Sequence, residues 1–418
     1  MEMSKFYKNL LLLGIALASL NLFGQVPAKD GVLDARSIDF NSRRISLGGQ
    51  WRWQDGKLID SLDPKIQKCI PVIFPGLWND ARQAGIGLGV ATYTLTILLP
   101  SDTNELAIEM PQIYSAYSLW ANASLLATNG VVGSTEETTI PQWKPQTISL
   151  KANDSVKLVL QIANFNHNKG GCKDLIYLGK KETMVAKSSR SVISKFIECC
   201  ALLIISLGFF FVFLIGQRKK VIVYFALLCA TWAIRSAFSN EYLAIRLIPD
   251  FNWNAMVRIE YITLYLTMIW AILFISRLFA NESNTVVKYI LVILNSVFVV
   301  FTIFNSPLLF TKMLALYLVT SGILLAYALL VIIRAYINER AGAAFLTVSS
   351  LLGIAIFTYD IFAYEGIFSF NSILFSVAYL VMFSMLGLAL LLHLDIIKKA
   401  KSTSGTLSYK DLYGDQKR

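Results

Sequence analysis

Residues 197–215 read IECCALLIISLGFFFVFLI, and six further runs of similar apolar character follow before Leu394. A helix needs about 20 residues to cross a hydrocarbon core of about 30 Å, and backbone polar groups in lipid must be paired within the segment. The pattern therefore predicts seven membrane-spanning helices. A bundle of core helices in a large water-soluble protein is the weaker alternative, because the runs have almost no polar face. The predicted spans are Ile197–Ile215, Val221–Phe238, Val257–Phe279, Tyr289–Phe304, Met313–Ile333, Ala343–Ile361 and Ile373–Leu394.

Basic residues are concentrated in short loops beside these runs and account for most of the formal net charge of +11. Such a distribution is typical of topology control and argues against nucleic-acid binding. The loops predicted to be cytoplasmic, together with the segment after the last span, contain Arg218, Lys219, Lys220, Arg277, Lys288, Arg334, Arg340, Lys398, Lys399 and Lys401. The opposite loops contain Arg246, Arg258 and Lys312. By the positive-inside rule, the N-terminal half is predicted to be periplasmic and the C-terminus cytoplasmic, in a bacterial inner membrane.

The first residues resemble a secretory signal. Lys5 and Lys8 precede an apolar stretch, Leu10–Ala18, and small residues follow near Gly24. We expect residues 1–25 to form a signal peptide; an uncleaved first helix, which would make eight spans, is the alternative.

Residues 26–190 have the composition of a water-soluble domain and contain several short alternating segments. In Thr92–Leu99, one face has four apolar side chains and the other begins with three threonines, and the same period recurs at 106–110 and 156–162. This period of two is typical of half-buried strands. We predict an all-β jelly-roll sandwich, followed by an all-α seven-helix domain over 193–396 and a short tail over 397–418.

Several short motifs of this region follow an order found in galactose-binding-like sandwiches. They are GGQWRW at 48–53, PGLW at 75–78, YTL at 93–95, YSLWAN at 117–122, residues 130–133 and LQIANF at 160–165. The sugar-binding domain of family 2 glycoside hydrolases is similar. A sandwich of this kind followed by seven helices resembles the bacterial seven-transmembrane receptors with diverse intracellular signalling modules.

That resemblance implies a receptor that senses a carbohydrate-like or small polar ligand. Receptors of this family usually continue into a kinase or cyclase module, whereas only about 20 residues follow the last span here. We therefore expect a separate cytoplasmic signalling protein to be the partner. A transporter component, or a membrane-anchored binding module of an envelope complex, is the alternative, and a homodimer stays open. No catalytic residue, metal or cofactor is predicted, because no nucleophile motif and no His/Cys cluster is present.

Aromatic and amide side chains of the sandwich are the candidates for ligand binding, since sugars stack on aromatic rings and exchange hydrogen bonds with amides. The candidates are Trp78, Trp120, Trp143, Asn164 and His167. Trp143 lies beside two prolines, and we expect it and His167 to be exposed. The alternative is that the tryptophans fill the core, which we favour for Trp51 and Trp53. Cys69 and Cys172 form a disulfide in an oxidising compartment if their separation allows it, which the sequence leaves open.

Ionisable residues within or beside the spans are the second set of candidates. Glu198, Arg235, Glu260 and Asp360 are predicted near the periplasmic ends of four helices. A charge deep in a span costs about 2.5–3.5 kcal/mol by insertion scales, so each needs a partner or water. They either form a polar cluster that couples ligand occupancy to helix packing, or they are interfacial charges that reach the lipid headgroups.

Overall fold

The computed structural model describes residues 27–59, 69–82, 85–101, 105–151, 154–216, 218–364 and 371–394. The predicted signal peptide, 1–25, and the predicted tail, 397–418, lie outside the described residues.

The N-terminal half consists of short strands that form two packed sheets. The strands are β1 Val32–Asp34, β2 Ile45–Ser46, β3 Gly49–Asp55, β4 Ile70–Phe74, β5 Gly76–Leu77, β6 Gly89–Leu98, β7 Leu106–Met110, β8 Ala116–Ala121, β9 Ser124–Asn129, β10 Gln146–Leu150, β11 Ser155–Asn164, β12 Gly171–Cys172 and β13 Tyr177–Lys180. The larger sheet has the order β4-β3-β6-β11-β8-β9 with β1 parallel to β6, the smaller has the order β10-β7-β13-β2, and β12 pairs with β5.

The two central strands, β6 and β11, show why the alternating pattern predicted this fold. Tyr93 of β6 lies opposite Leu160 of β11 in an antiparallel pair. Tyr93, Leu95 and Ile97 all belong to the core between the sheets. Because successive side chains of a strand point to opposite faces, the intervening threonines lie on the other side of the sheet. The predicted all-β sandwich is confirmed.

The C-terminal half is helical. The helices, numbered from a single turn inside the sandwich, are α1 Trp78–Ala81, α2 Lys181–Ile215, α3 Lys220–Ala237, α4 Leu243–Leu247, α5 Trp253–Leu278, α6 Thr285–Phe304, α7 Pro307–Lys312, α8 Leu314–Ile337, α9 Ala343–Tyr364 and α10 Ser372–His393. Seven of them, α2, α3, α5, α6, α8, α9 and α10, are long and apolar enough to cross a membrane, which confirms the predicted bundle. The short helices α1, α4 and α7 were not predicted.

The polar breaks between the apolar runs contain the residues that begin the helices. The side chain of Asn252 accepts a hydrogen bond from the Ala255 amide at the start of α5. Asn284 does the same for α6, and Asn371 for α10. Asparagine is favoured at this position because it pairs an amide that the helix leaves without an acceptor.

The boundary between the two halves differs from the prediction. Lys181 begins α2 directly after β13 ends at Lys180, so residues 181–190 are helical although they were assigned to the sandwich. Their polar composition had marked them as part of the water-soluble domain.

Candidate functional site at the junction of sandwich and helices

Helix α2 connects the sandwich to the bundle without a flexible linker. It has 35 residues and is about 52 Å long at about 1.5 Å per residue, well beyond the thickness of a hydrocarbon core. Near its start, Lys187 Nζ donates to both carboxylate oxygens of Glu109 on β7, at 3.1 Å. The first turns of α2 therefore pack on the sandwich, and the same helix continues into the membrane domain.

Trp143 lies at the centre of the junction and is 2% exposed. Within the sandwich its ring packs against Tyr114 and His167, with centroids at 5.6 and 5.3 Å. On the helical side it packs against Tyr242, at 5.9 Å, and Trp253 of α5, at 5.4 Å. Trp143 is thus part of the hydrophobic core of the bundle, together with Leu77 and Tyr114 of the sandwich.

Hydrogen bonds join the two halves beside this aromatic contact. Tyr242 Oη donates to Gln112 Oε1 at 2.8 Å, and Arg246 Nη2 donates to the carbonyl of Pro145 at 3.3 Å. The amide of Asn168 donates to Thr311 Oγ1 of α7 at 3.1 Å. The short helices α4 and α7 therefore form the surface on which the sandwich rests.

Asn164 and His167, both predicted to bind a ligand, hold the loop that follows β11. Asn164 Nδ2 donates to the carbonyls of Gly87 and His167 at 2.8 Å, and Asn164 is fully buried. His167 Nδ1 lies 3.0 Å from the amide nitrogen and 3.1 Å from the carbonyl oxygen of Lys169. His167 also stacks on Tyr114 at 4.6 Å. These bonds make the two residues structural.

The prediction that Trp143 and His167 are exposed is wrong. His167 is 1% exposed and Trp143 only slightly more, because α4, α5 and α7 cover this end of the sandwich. A domain considered in isolation would leave both side chains at its surface.

Burial lowers the pKa of His167 to about 3, below its ordinary value of 6.5. The fold therefore prefers the neutral imidazole: its contribution to stability is complete above pH 6.5 and is lost as the pH falls toward 3. Between pH 7.5 and 5 we expect wild-type protein to lose about 1–2 kcal/mol more stability than the His167→Gln variant. Thermal unfolding of the full chain in detergent, followed by tryptophan fluorescence, measures this difference.

The chain supplies a matched control, because it contains two histidines and the other is His393. His393→Gln should keep the wild-type pH dependence. Equal pH dependence of wild type and His167→Gln would contradict a buried, neutral His167.

Trp120 lies apart from the junction, whereas the amide of Trp78 donates to the carbonyl of Gly170 in the loop after β11, at 3.0 Å. Trp78 is 1% exposed, and its Nε1 donates to Tyr93 Oη at 2.7 Å inside the sandwich. Trp120 is half-buried on the outer face of the larger sheet, beside Val159. The five predicted ligand residues therefore do not form one surface, and four of them are buried by protein contacts.

Cys69 and Cys172 are both free thiols, so the structure does not contain the predicted disulfide. Cys172 belongs to the core between the two sheets. Cys69 packs with Ile59 and Val159 in a separate cluster. The sheet lies between the two positions, which the sequence could not show.

The first of the predicted membrane charges, Glu198 of α2, is fully buried and fully paired. Its Oε2 accepts from Lys195 Nζ at 2.8 Å and from Ser376 Oγ of α10 at 2.7 Å. Its Oε1 accepts from Ser236 Oγ of α3 at 2.6 Å, and Lys195 also donates to that hydroxyl. One ion pair thus ties together three helices near their sandwich ends.

The other three predicted charges lie in the same layer. Arg235 Nη1 of α3 donates to the backbone carbonyl of Glu260 on α5 at 2.8 Å. Arg235 also attracts the carboxylates of Glu260 and Asp360, as does Lys173 of the sandwich. Glu260 Oε2 is buried without a hydrogen-bond partner among the described residues. A sandwich side chain therefore contributes positive charge to a polar layer within the outer turns of the bundle.

The sequence indicated Glu198, Arg235, Glu260 and Asp360 but not the partners of these four charges. Lys195 lies three residues before Glu198, a spacing that brings side chains together on a helix, so this pair had a local signal. Ser236, Ser376 and Lys173 had none, since their contacts depend on how distant segments pack. No group of three or more potential metal ligands was found in the parts of the chain that the structure describes.

Residues 194–397 match the family described as 7TM diverse intracellular signalling. The seven-helix domain belongs to that family. The match covers all seven membrane helices apart from the first turns of α2, which confirms the resemblance seen in the sequence. A seven-transmembrane domain of this family is a receptor-like domain, and the chain is a multi-pass membrane protein. Comparison with curated proteins gave no match.

Among solved structures, the chain is similar to a family 2 glycosyl hydrolase from Bacteroides cellulosilyticus, with 13% identity, a TM-score of 0.27, and coverage of 33% of this chain and 20% of that one. A β-glucuronidase from Faecalibacterium prausnitzii has 13% identity and a TM-score of 0.26, with coverage of 32% and 31%. A family 2 β-galacturonidase from Eisenbergiella tayi has 12% identity and a TM-score of 0.25, with coverage of 33% and 24%. The chain thus spans a third or less of these proteins, and at these scores the likeness says nothing about ligand or activity.

Proposed function

We propose that the protein is a transmembrane sensor of a bacterial inner membrane, in which the sandwich detects a small polar or carbohydrate-like molecule in the periplasm. The seven-helix domain then passes the signal to a separate cytoplasmic protein. The observation that carries this proposal is the continuity of sandwich and bundle through α2. No enzymatic activity is part of the proposal.

The junction offers a physical route for the signal. A ligand shifts a conformational equilibrium only by its difference in affinity for the two states. Any sandwich movement that shifts Trp143 changes a contact of the bundle, because its ring packs against Trp253 of α5. Packed cores have discrete arrangements, so small shifts at such a contact can select between two helix packings.

The ligand surface of this proposal is the outer face of the larger sheet. Trp120 is the candidate aromatic residue that remains partly exposed. Gln161 lies on the neighbouring strand, where its Nε2 donates to the carbonyl of Ile59 at 3.0 Å. An indole with polar neighbours suits a ligand that has both C–H faces and hydroxyl groups.

The orientation can be tested with reporter fusions. Alkaline phosphatase is active only in an oxidising compartment, so a fusion after Val192 should be active and a fusion after Lys401 inactive. Green fluorescent protein at the same positions should give the opposite pattern. Phosphatase activity after Lys401 would invert the proposed topology and remove the sensor function with it.

A further inference from the structure

Two adjacent clefts lie at the end of the bundle opposite the sandwich, where the α5–α6 and α8–α9 loops meet. One has a volume of about 210 Å³ and is lined by Asn281, Glu282, Arg334, Ile337 and Asn338. The other has a volume of about 480 Å³ and is lined by Tyr336, Ile337, Glu339, Arg340, Ala343 and Ala344. Ile337 lines both, so the two clefts form one surface, which we call the loop cleft.

The loop cleft is held in place by contacts beneath it. The Glu282 side chain is 4% exposed, and its Oε1 accepts from Arg340 Nε at 2.6 Å. The amide of Asn284 donates to Tyr327 Oη of α8 at 2.8 Å. Gly342 has a φ of +82°, and a Cβ there would lie 2.4 Å from the carbonyl oxygen of Ala389 on α10. A surface fixed in this way loses little conformational entropy when it binds a partner.

The surface around the loop cleft is apolar and basic. Ile337 is 71% exposed and Tyr336 is 55% exposed. The α5–α6 and α8–α9 loops contain two acidic residues, Glu282, which Arg340 pairs, and Glu339. The basic residues at the same end are Arg218, Lys219, Lys220, Arg277, Lys288, Arg334 and Arg340.

Charge distinguishes between the occupants that could cover this surface. Residues 395–418 of the chain contain six basic residues (Lys398, Lys399, Lys401, Lys410, Lys417, Arg418) and three acidic ones (Asp395, Asp411, Asp415), so this tail carries the same sign as the cleft. A second copy of the chain would present the same basic face. Complementary charge therefore favours an acidic segment over this tail or the same face of a second copy.

We propose that the loop cleft docks an acidic amphipathic segment of a separate cytoplasmic protein, with apolar side chains against Tyr336 and Ile337 and carboxylates near Arg334. This inference rests on the proposed sensor function and names the chemistry of its output partner. Membrane tethering of one component favours such a contact even when the surface is small, because it raises the effective concentration.

The test is photo-crosslinking in the native host with the full chain. The amino acid p-benzoylphenylalanine replaces Ile337 in one variant and Ile323, an exposed residue earlier on α8, in a matched control. We expect a protein adduct at 337 and none at 323, and sequencing of the crosslinked peptide should show a segment rich in Asp and Glu. Adding Arg334→Glu should reduce the adduct at least tenfold, and replacing the captured acidic residues by Lys should restore it.

The proposal would be overturned if position 337 gave no adduct. It would also be overturned if the adduct contained only lipid, this chain's own tail, a second copy of the chain, or a segment without acidic residues. Crosslinking at Tyr336 provides a second site, and an unchanged thermal midpoint shows that Arg334→Glu folds.

The reporter fusions distinguish failure of the sensor topology from failure of the docking inference. If they place the loop cleft outside the cytoplasm, the sensor topology fails; if they place it inside and only lipid is captured, the docking inference alone fails.

Discussion

Replacing Lys195 by Met should lower the unfolding free energy by about 3–5 kcal/mol, because it leaves the buried Glu198 carboxylate without a counter-ion. Both side chains are almost completely inaccessible, at 2% and 0% exposure. The two serine hydroxyls that remain on the carboxylate cannot neutralise its charge. Thermal or denaturant unfolding of the full chain in detergent micelles measures the loss.

The double variant Lys195→Met/Glu198→Met is the control for this prediction. An apolar pair of similar volume avoids the cost of burying two charges, and such replacements are often neutral or stabilising. Ser236 and Ser376 can then donate to carbonyls of their own helices. We expect stability within about 1 kcal/mol of wild type; a double variant as unstable as Lys195→Met would show that the ion pair is not the cause.

The helices and strands were predictable because each rests on a short-range pattern. An apolar run long enough to span lipid identifies its own helix, and alternation identifies a strand whose one face is buried. The start of α2 was not predicted, because residues 181–190 are helical but have the polar composition of the water-soluble domain. Their helix is stabilised by contacts such as Lys187 with Glu109, which is 78 residues away in sequence.

The candidate site was only partly predictable, for the same reason. Charged residues within or beside apolar runs are conspicuous, so Glu198, Arg235, Glu260 and Asp360 could be named from the sequence. The environment of Trp143 could not, because its cover comes from Tyr242 and Trp253, about a hundred residues later. Tryptophan between prolines looks like a surface residue until the helices are placed beneath it.

The sandwich is not complete at the end that faces the helices. The ligand candidates were chosen on the assumption of an independent domain, yet its lower end is completed by α4, α5 and α7. Separation of the two halves would expose a cluster of aromatic rings and the buried His167 to water. Sandwich and bundle are therefore expected to respond together, as a sensor requires.

Trp143→Ala should have a comparably large effect, about 3–5 kcal/mol, since it empties a nearly inaccessible site the size of an indole. The loss should extend beyond the sandwich, because the ring contacts Tyr242 and Trp253 of the helical half. Hydrogen exchange followed by mass spectrometry should show faster exchange in α4 and in the first turns of α5. Trp51→Ala is the matched control: Trp51 is fully buried but belongs to the core between the two sheets, so it should loosen the strands and leave α4 and α5 protected. If both variants loosen only the strands, Trp143 fills space in the sandwich without coupling it to the helices. The proposed route for the signal must then lie elsewhere, and Lys173 is the next side chain to test.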